Sequence, residues 1–513
     1  MSAAPAFAGL AELFGSAPVP AFTVVRADHD PALRRAYLAL RHRAFVEEQG
    51  LFAGHDLDDH DTDPACRILV AVAAGGGSGA GGARGAAGAV LGGVRLHPVG
   101  DDATLGWWRG SRLVCAEPPR ERSTHAPSPA RAARRGAIGA ALVRAACEEA
   151  VAAGALRFDA HVQERHAGFF ARLGWRDAGT VEAAGAPHRA MRWDVPRLAQ
   201  LAARTKGDIG PLTHALLADA GAAGALAAGF LGDDGVPVPG PGGLIAATDA
   251  ILPAMVERDP EWAGWCGMLV TAHDLAAMGA EPVGALDALG ARDAAHAERI
   301  VRGLRAGADA FALPILGGHT TLNAAAGSLA VTGLGRTDDP VPASGGRPGD
   351  AVSVCADLEG AWRPGYGRTQ WDSTTRRSRA ELAAMLGGVA RHRPHAAKDV
   401  SMAGVVGTAG MLAEASGCGI ELDVAAIPRP AGVGAADWLT CFPGFATVTA
   451  DAPDAPPPAD GPARGARCGV LTREPGVRLR WPDGTVTTVL AESAVTGLGP
   501  ADRSALDRKD HHA

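Results

Sequence analysis

Tyrosine is almost absent from this chain, because Tyr37 and Tyr366 are its only two among 513 residues. A reaction that uses tyrosine as its acid or base therefore has very few candidate positions. The eight cysteines are scattered and none forms a CxxC pair, which excludes a zinc ribbon and a thioredoxin-type redox site. Scattered single cysteines are typical of buried thiols in a reducing cytosol, so we expect a cytoplasmic protein.

Long apolar runs and an excess of positive charge are also missing. No uncharged apolar stretch reaches the length of about eighteen residues that a membrane span needs, and the N-terminus lacks the features of a secretory signal. The net charge of -7 argues against a nucleic-acid surface, which needs a basic stripe. We therefore expect small-molecule substrates, and neither nucleic acid nor a membrane as a partner.

The length of 513 residues predicts about two to four domains. A short polar helix is predicted after Pro196, and the sequence pattern differs before and after it, which indicates a domain boundary at residues 196–205. A turn-rich segment near residues 340–350 indicates a second boundary. These two boundaries divide the chain into residues 20–195, 206–340 and 345–495. The alternation of strand and helix patterns predicts an α/β and α+β fold class.

The most distinctive segment before the first boundary is RRGAIGAALVRAACEEA, residues 134–150. It combines a basic turn of small residues with an amphipathic helix, and an alternating strand follows at residues 156–162. Backbone N–H groups at a helix start are unpaired and carry the positive end of the helix dipole, which favours phosphate binding. Both an ordinary helix start and a phosphate site fit this pattern.

Four segments of residues 20–195 together resemble the GNAT N-acetyltransferase superfamily: LRHRAFVEEQG at 40–50, RRGAIG at 134–139, FFARLGW at 169–175 and GAPHRAM at 185–191. The resemblance implies a mixed sheet with flanking helices that binds acetyl-CoA. It places the pyrophosphate of the cofactor on Arg134, Arg135, Gly136, Ala137 and Gly139. Ala137 replaces the middle glycine of the family's motif.

Acyl transfer to an amine needs a base for the ammonium proton and often an acid for the CoA thiolate. The family's usual acid is a tyrosine, and Phe170 stands at that position. The candidate bases are Glu48, His161 and His188, although each histidine also fits a hydrogen-bonded structural role. The acidic run HDLDDHDTD suits either the binding of a cationic amine or a solvated surface loop.

Aspartates recur at predicted turns and strand ends between residues 206 and 450: Asp233 and Asp234 in GDDG, Asp249 after an apolar strand, Asp274 on a helix that ends at Gly279, and Asp399 in KDVSMAGVVG. Each aspartate alone fits a helix cap or a turn. Together they predict a carboxylate cluster of the kind that binds Mg²⁺ on nucleotide phosphates. A predicted turn at Gly317 and Gly318 would offer backbone donors to phosphate oxygens.

No Walker A motif or kinase glycine-rich loop occurs, so a nucleotide would need another architecture. HDLAAMGAEP (273–282), SGGRPGDAVSV (344–354) and KDVSMAGVVG (398–407) carry a resemblance to the PurM-like superfamily. That superfamily contains aminoimidazole-ribonucleotide synthetase, thiamine-monophosphate kinase, selenophosphate synthetase and the hydrogenase-maturation dehydratase. His273 and Met402 depart from its motifs and leave the substrate open.

The PurM-like resemblance implies a fold of two α/β subdomains and a homodimer that pairs the N-terminal subdomains. It also implies that ATP and Mg²⁺ are held by Asp233, Asp234, Asp249, Asp274 and Asp399. Three functions fit: a bifunctional acetyltransferase and ATP-dependent synthetase or kinase, an ATP-dependent enzyme with an inactive CoA-binding sensor domain, and a kinase with a purely structural N-terminal domain.

Overall fold

The structure is a computed structural model that describes residues 22–74, 89–116, 129–217, 228–492 and 494–502. The side chains of Arg134 and Arg135 lie outside the described part of the chain. The chain divides into two compact units, Met1–Val195 and Pro196–Ala513. The architecture is mixed α/β, as the sequence predicted, and none of the described helices is both long enough and apolar enough to cross a membrane.

One seven-stranded mixed sheet forms the centre of the N-terminal unit. Its strands are β1 (Phe22–Arg26), β2 (Arg67–Ala73), β3 (Val90–Pro98), β4 (Trp107–Cys115), β5 (Arg157–Gln163), β6 (Arg176–Ala183) and β7 (Ala186–Trp193). They lie in the order β1-β2-β3-β4-β5-β7-β6. The described helices are α1 (Pro31–His42), α2 (Pro129–Ala152) and α3 (Ala167–Arg172), with a π-helical turn at Arg43–Glu48.

Strands β4 and β5 form the parallel pair of this sheet. They pair only where Trp107–Gly110 lies against Arg157–Ala160. Beyond that point β4 continues to Cys115 and β5 to Gln163 without pairing to each other. The sheet therefore opens between the ends of these two strands.

Helix α2 begins at Pro129, ahead of Arg134, where the sequence pattern placed its start. Proline is favoured in the first helical turn, and the alanines and arginines that follow it have high helix propensity. Gly136, Ala137 and Gly139 consequently lie inside the helix. The expectation that they stand at an unpaired helix start is therefore corrected.

A five-stranded sheet and its helices make up the first subdomain of the C-terminal unit. In chain order the elements are α4 (Arg197–Lys206), α5 (Ile209–Leu217), β8 (Val236–Pro237), β9 (Leu244–Ile251), α6 (Pro253–Arg258), α7 (Pro260–Ala277), β10 (Glu281–Ala291), α8 (Ala294–Phe311), β11 (Ile315–Leu322) and β12 (Ser328–Arg336). The strand order is β11-β10-β12-β9-β8.

Helix α7 is buried on nearly all sides, which explains why its sequence is apolar without a single hydrophobic face. It packs against α8 at very short range. A Cβ atom on Gly264 would lie 2.2 Å from the backbone oxygen of Ile300, and one on Gly303 would lie 1.9 Å from that of Glu261. Glycine at these positions lets the two backbones touch.

Strand β11 corrects the predicted turn at Gly317 and Gly318. The strand runs through both glycines to Leu322, and Gly318 pairs with Asp287 of β10. A Cβ atom on Gly318 would lie 2.3 Å from Oδ2 of Asp287, so glycine serves here for close approach within a strand.

A second seven-stranded sheet forms the second subdomain. Its elements are β13 (Ala351–Ala356), β14 (Ala361–Trp362), β15 (Trp371–Asp372), α9 (Arg379–Leu386), α10 (Gly388–His392), β16 (Ala396–Asp399), α11 (Gly404–Ala415), β17 (Gly419–Asp423), α12 (Ala435–Thr440), β18 (Ala446–Asp451), β19 (Arg464–Thr472), β20 (Val477–Arg480) and β21 (Val486–Leu490). The sheet order is β16-β18-β13-β19-β17-β20-β21, with β14 and β15 as a separate pair. Helix α11 is buried along its whole length.

Candidate functional site

Three carboxylates from separate elements of the C-terminal unit meet at one point. Asp234 lies in the turn before β8, Asp274 in the last turn of α7, and Asp399 at the end of β16. One oxygen atom of each lies within 4.8 Å of an oxygen of the other two. This spacing suits three ligands of one divalent metal ion, for which oxygen is the preferred donor.

Contacts across the two subdomains hold Asp234 in place. The backbone N–H of Asp399 donates to Oδ2 of Asp234 at 2.9 Å. The ammonium group of Lys398 donates to Oδ1 of Asp234 and to the backbone oxygen of Gly232, the latter at 3.1 Å. The end of β16 therefore binds the GDDG turn of the first subdomain directly.

Asp233 and Asp249 lie beside this triad rather than in it. The two carboxylate oxygens of Asp233 accept backbone N–H groups from Asp234 at 2.9 Å and from Ala343 at 2.7 Å. Asp249 accepts the N–H of Ala250 at 2.7 Å and lines the same cavity. Asp233 thus shapes the turn, and the structure brings together three of the five predicted metal ligands as a compact set.

Burial and mutual repulsion dominate the electrostatics of the triad. Asp274 is 8% exposed and Asp399 is 5% exposed. Burial, and then the neighbouring carboxylates, raise the pKa of both side chains well above the usual range. Burial also raises the pKa of Asp233 to about 7. A cation bound among these groups would relieve the repulsion.

The triad lies in a cavity of about 310 Å³ whose remaining wall is largely apolar. That wall includes Met255, Val270, Met402, Met411 and Phe442. Met402, one of the two residues that depart from the family motifs, is 42% exposed. The cavity therefore joins an acidic end to an apolar one.

Two lysines of this cavity escaped the sequence analysis. Lys398 is 3% exposed and sits in a strand of otherwise buried residues, which is an unusual place for lysine and was the signal available. Lys206 ends α4, in a segment that the sequence pattern presented only as a boundary. Gly317 and Gly318 lie on β11 and do not line this cavity.

His273, where the family has asparagine, does not face the cavity. It is 4% exposed and its ring meets that of Phe445 edge-on, with 5.1 Å between centroids. Burial lowers the pKa of His273 to about 3, so the imidazole is neutral. Its role is in packing.

The N-terminal unit contains a separate cavity of about 950 Å³ at the opening between β4 and β5. The predicted residues Glu48, Gly136, Gly139, His161 and His188 all line it. Ala137 is exposed on α2 outside the lining. The fold therefore gathers segments that lie far apart in the sequence around one cleft.

The candidate bases of this cleft differ in environment. Burial, and then the charge of Arg109, lower the pKa of His161, which favours the neutral ring that a base needs. His188 is buried, and its Nδ1 lies 2.9 Å from the backbone oxygen of Ala186. Glu48 is exposed. Phe170 is buried and meets Trp175 edge-on at 5.2 Å between ring centroids.

Three of the five carboxylates in the acidic run at residues 55–63 form ion pairs with arginines, and these three fit neither a solvated loop nor the binding of a cationic amine. Arg41 is fully buried and pairs with Asp56 at 2.7 Å and with Asp61 at 2.6 Å. Arg95 is 1% exposed and pairs with Asp58 and Asp61. These carboxylates neutralise buried guanidinium groups and are not available for a cationic amine.

Comparisons with known proteins assign the C-terminal unit to a family. Residues 232–337 match the AIR synthase related protein, N-terminal domain, and residues 365–455 match its C-terminal domain. The uncharacterised protein sll0787 of Synechocystis sp. is 36% identical over 220 residues, which cover 42% of this chain and 68% of that protein. Through its C-terminal unit, the chain belongs to the AIR synthase related family.

The chain is also similar to two more distant proteins. A thiamine-monophosphate kinase of Rhodopirellula baltica is 32% identical over 214 residues, which span 39% of this chain and 65% of the kinase. The crystal structure of thiamine monophosphate kinase from Aquifex aeolicus is 19% identical, with a TM-score of 0.39, and the match covers 50% of this chain and 92% of that one.

Replacing Asp274 by Asn should stabilise the metal-free protein at neutral pH, because a carboxyl buried beside other carboxylates must either carry an unfavourable charge or keep a proton, and an amide needs neither. We expect the free energy of unfolding to rise, because the folded protein no longer has to keep a buried carboxyl protonated at a pH where the unfolded chain ionises it. Urea denaturation in the presence of EDTA measures this change.

The pH dependence has a defined sign. Folded Asp274 keeps its proton at pH values where the unfolded chain has lost it. The contribution of Asp274 to the stability of the metal-free wild type is therefore largest below the ordinary carboxyl pKa of about 4, and it falls as the pH rises from there towards the raised pKa of the folded protein. D274N should weaken this fall. As a control, D357N removes a carboxylate that is buried but bound by Arg377 at 2.6 Å, and it should destabilise. Destabilisation by D274N would contradict the account.

Proposed function

We propose that the C-terminal unit is an ATP-dependent enzyme that transfers the terminal phosphoryl group of ATP to an oxygen atom of a small metabolite. The observation that carries the proposal is the triad of Asp234, Asp274 and Asp399, whose buried carboxylates share one cavity. The similarity to a protein named as thiamine-monophosphate kinase supports the same reaction class. Phosphoryl transfer depends chiefly on positioning and charge stabilisation, which such a site supplies.

The residues fit a magnesium ion, because burial and neighbouring carboxylates raise the pKa of Asp274 and of Asp399, and Lys398 alone cannot balance the charges of the triad. When bound, Mg²⁺ would neutralise phosphate charge and orient the nucleotide. Lys206 lies half-buried at the edge of the same cavity, where it would face the phosphates. The apolar wall around Met255 and Phe442 would receive an apolar part of a ligand and keep water from it.

Replacing Asp399 by Asn should lower ADP release by at least about a hundredfold, since charge-stabilising groups in active sites carry effects of that order. The measurement is ADP formed from Mg-ATP by the full chain, with a pool of small metabolites as acceptors. D309N is the matched control, because Asp309 is exposed on α8 and should leave the rate unchanged. Absence of metabolite-stimulated ADP release in the wild type would refute an ATP-dependent enzyme.

A second candidate function concerns the N-terminal unit. We propose that the cleft between the unpaired ends of β4 and β5 binds an acyl-CoA and that the unit is an acetyltransferase. Support comes from the size of the cleft, about 950 Å³, and from the position of Gly136 and Gly139 on its wall. His161 would accept the proton of the amine, since its pKa is lowered. An inactive sensor domain would bind the same cofactor without turnover.

Acetyl-CoA should stabilise the chain against thermal unfolding, by about 2.7 kcal/mol when its concentration is a hundred times the Kd. A tryptophan at Gly136 would project into the cleft, where a Cβ meets no atom within 4 Å, and should abolish this shift. E148W is the control, because Glu148 is exposed on the same helix outside the cleft. An equal shift in G136W and E148W would contradict this location, and no shift in the wild type would contradict the cofactor.

We also propose that the chain is a homodimer that pairs through β11. All eight residues of this strand are exposed, and among them Ile315, Leu316 and Leu322 are large and apolar. An exposed apolar strand at a sheet edge is a template for pairing with another strand. A second copy of the chain would cover it.

Light scattering should therefore give twice the chain mass of 51.9 kDa for the wild type. L316D should yield monomers, because it places a charge in the paired surface. L212D is matched to it, since Leu212 is 74% exposed on α5, away from β11, and should leave the dimer intact. A monomeric wild type, or a dimeric L316D, would contradict pairing through β11.

A further inference from the structure

Lys398 is a buried cation in the middle of the carboxylate cluster. Its side chain is 4% exposed, and its ammonium group contacts Asp234 and the backbone oxygen of Gly232. It lies next to Asp399, whose backbone N–H holds the other oxygen of Asp234. The lysine is therefore fixed by its neighbours rather than free to follow a ligand.

The charges around the cavity come from five elements. The carboxylates are Asp233, Asp234, Asp249, Asp274 and Asp399, and the ammonium groups are Lys206 and Lys398. Lys206 is only half-buried and forms no ion pair with any described residue, whereas Lys398 is bound directly to the cluster. Of the two lysines, Lys398 is thus the one whose positive charge is bound directly to the carboxylate cluster.

We propose that the ammonium group of Lys398, which is bound within the carboxylate cluster, limits the cluster to one divalent metal ion in the absence of nucleotide. This inference rests on the proposed metal-dependent function of the same site. The oxygens of Asp234, Asp274 and Asp399 that lie within 4.8 Å of one another form one metal site. A second ion near Asp233 and Asp234 would stand beside a fixed ammonium group, and like charges repel strongly where water is scarce.

The number of bound ions tests this proposal without any turnover. Equilibrium dialysis of the full chain against Mn²⁺, without nucleotide, should give one tightly bound ion per wild-type chain. K398M removes the charge and keeps the length of the side chain, so we expect two ions per chain. Circular dichroism establishes that the variant is folded, and K398Q replaces K398M if it is not.

Two controls separate position from net charge. K398R keeps the charge at the same place and should still bind one ion. K206M removes the other lysine of the cavity and should also bind one. Two ions in K206M would overturn the proposal, because net charge rather than Lys398 would then set the count.

The remaining outcomes are distinguishable. Two or more tight ions in the wild type, or one ion in K398M and K398Q alike, would overturn the role of Lys398 and leave the metal site standing. No bound Mn²⁺ in the wild type would overturn the metal-dependent function together with the inference.

Discussion

The contact between Asp234 and the Lys398–Asp399 pair is the constraint on which the C-terminal unit depends. It is the place where the GDDG turn of the first subdomain meets the end of β16 in the second. The contact brings Asp234 beside Asp399, and the last turn of α7 adds Asp274. Because these carboxylates are buried together, they repel one another when ionised, and bound cations or protons relieve that repulsion.

The helices around that cluster are closely packed. Helices α7 and α11 are buried on nearly all sides. Asp274 of α7 and Met411 of α11 line the cavity. The backbone contact of α7 with α8 at Gly264 and Gly303 leaves little room for movement. A closely packed site with several carboxylates favours a ligand that carries a metal cation, as a metal-bound nucleotide does.

Sequence reasoning located much of this arrangement because motif residues sit at element ends. Asp274 lies on a helix that ends before Gly279, whose φ of +66° matches the predicted glycine cap. Strand β5, at Arg157–Gln163, lies within one residue of its predicted position at each end.

Some predictions from the sequence were wrong or incomplete, because they depend on contacts that a local sequence pattern does not show. Gly317 and Gly318 looked like a turn, yet Gly318 is required by the close approach of Asp287 on the neighbouring strand. The acidic run at residues 55–63 looked solvated because its partners, Arg41 and Arg95, come from other elements. Lys398 was overlooked because only the tertiary structure shows that it points into the carboxylate cluster. Contacts between residues that are far apart in the sequence decide all three cases.

The two cavities differ in how directly chemistry follows from them. The N-terminal cleft gathers histidines and small residues, whereas the C-terminal cavity presents three carboxylates that are spaced for one metal ion.

The most direct test of the proposed metal centre is anomalous diffraction from crystals of the full chain grown with Mn²⁺. We expect an anomalous peak that lies about 2.0–2.6 Å, a coordination distance, from carboxylate oxygens of Asp234, Asp274 and Asp399. No peak there, or a peak only elsewhere, would contradict the proposed metal centre.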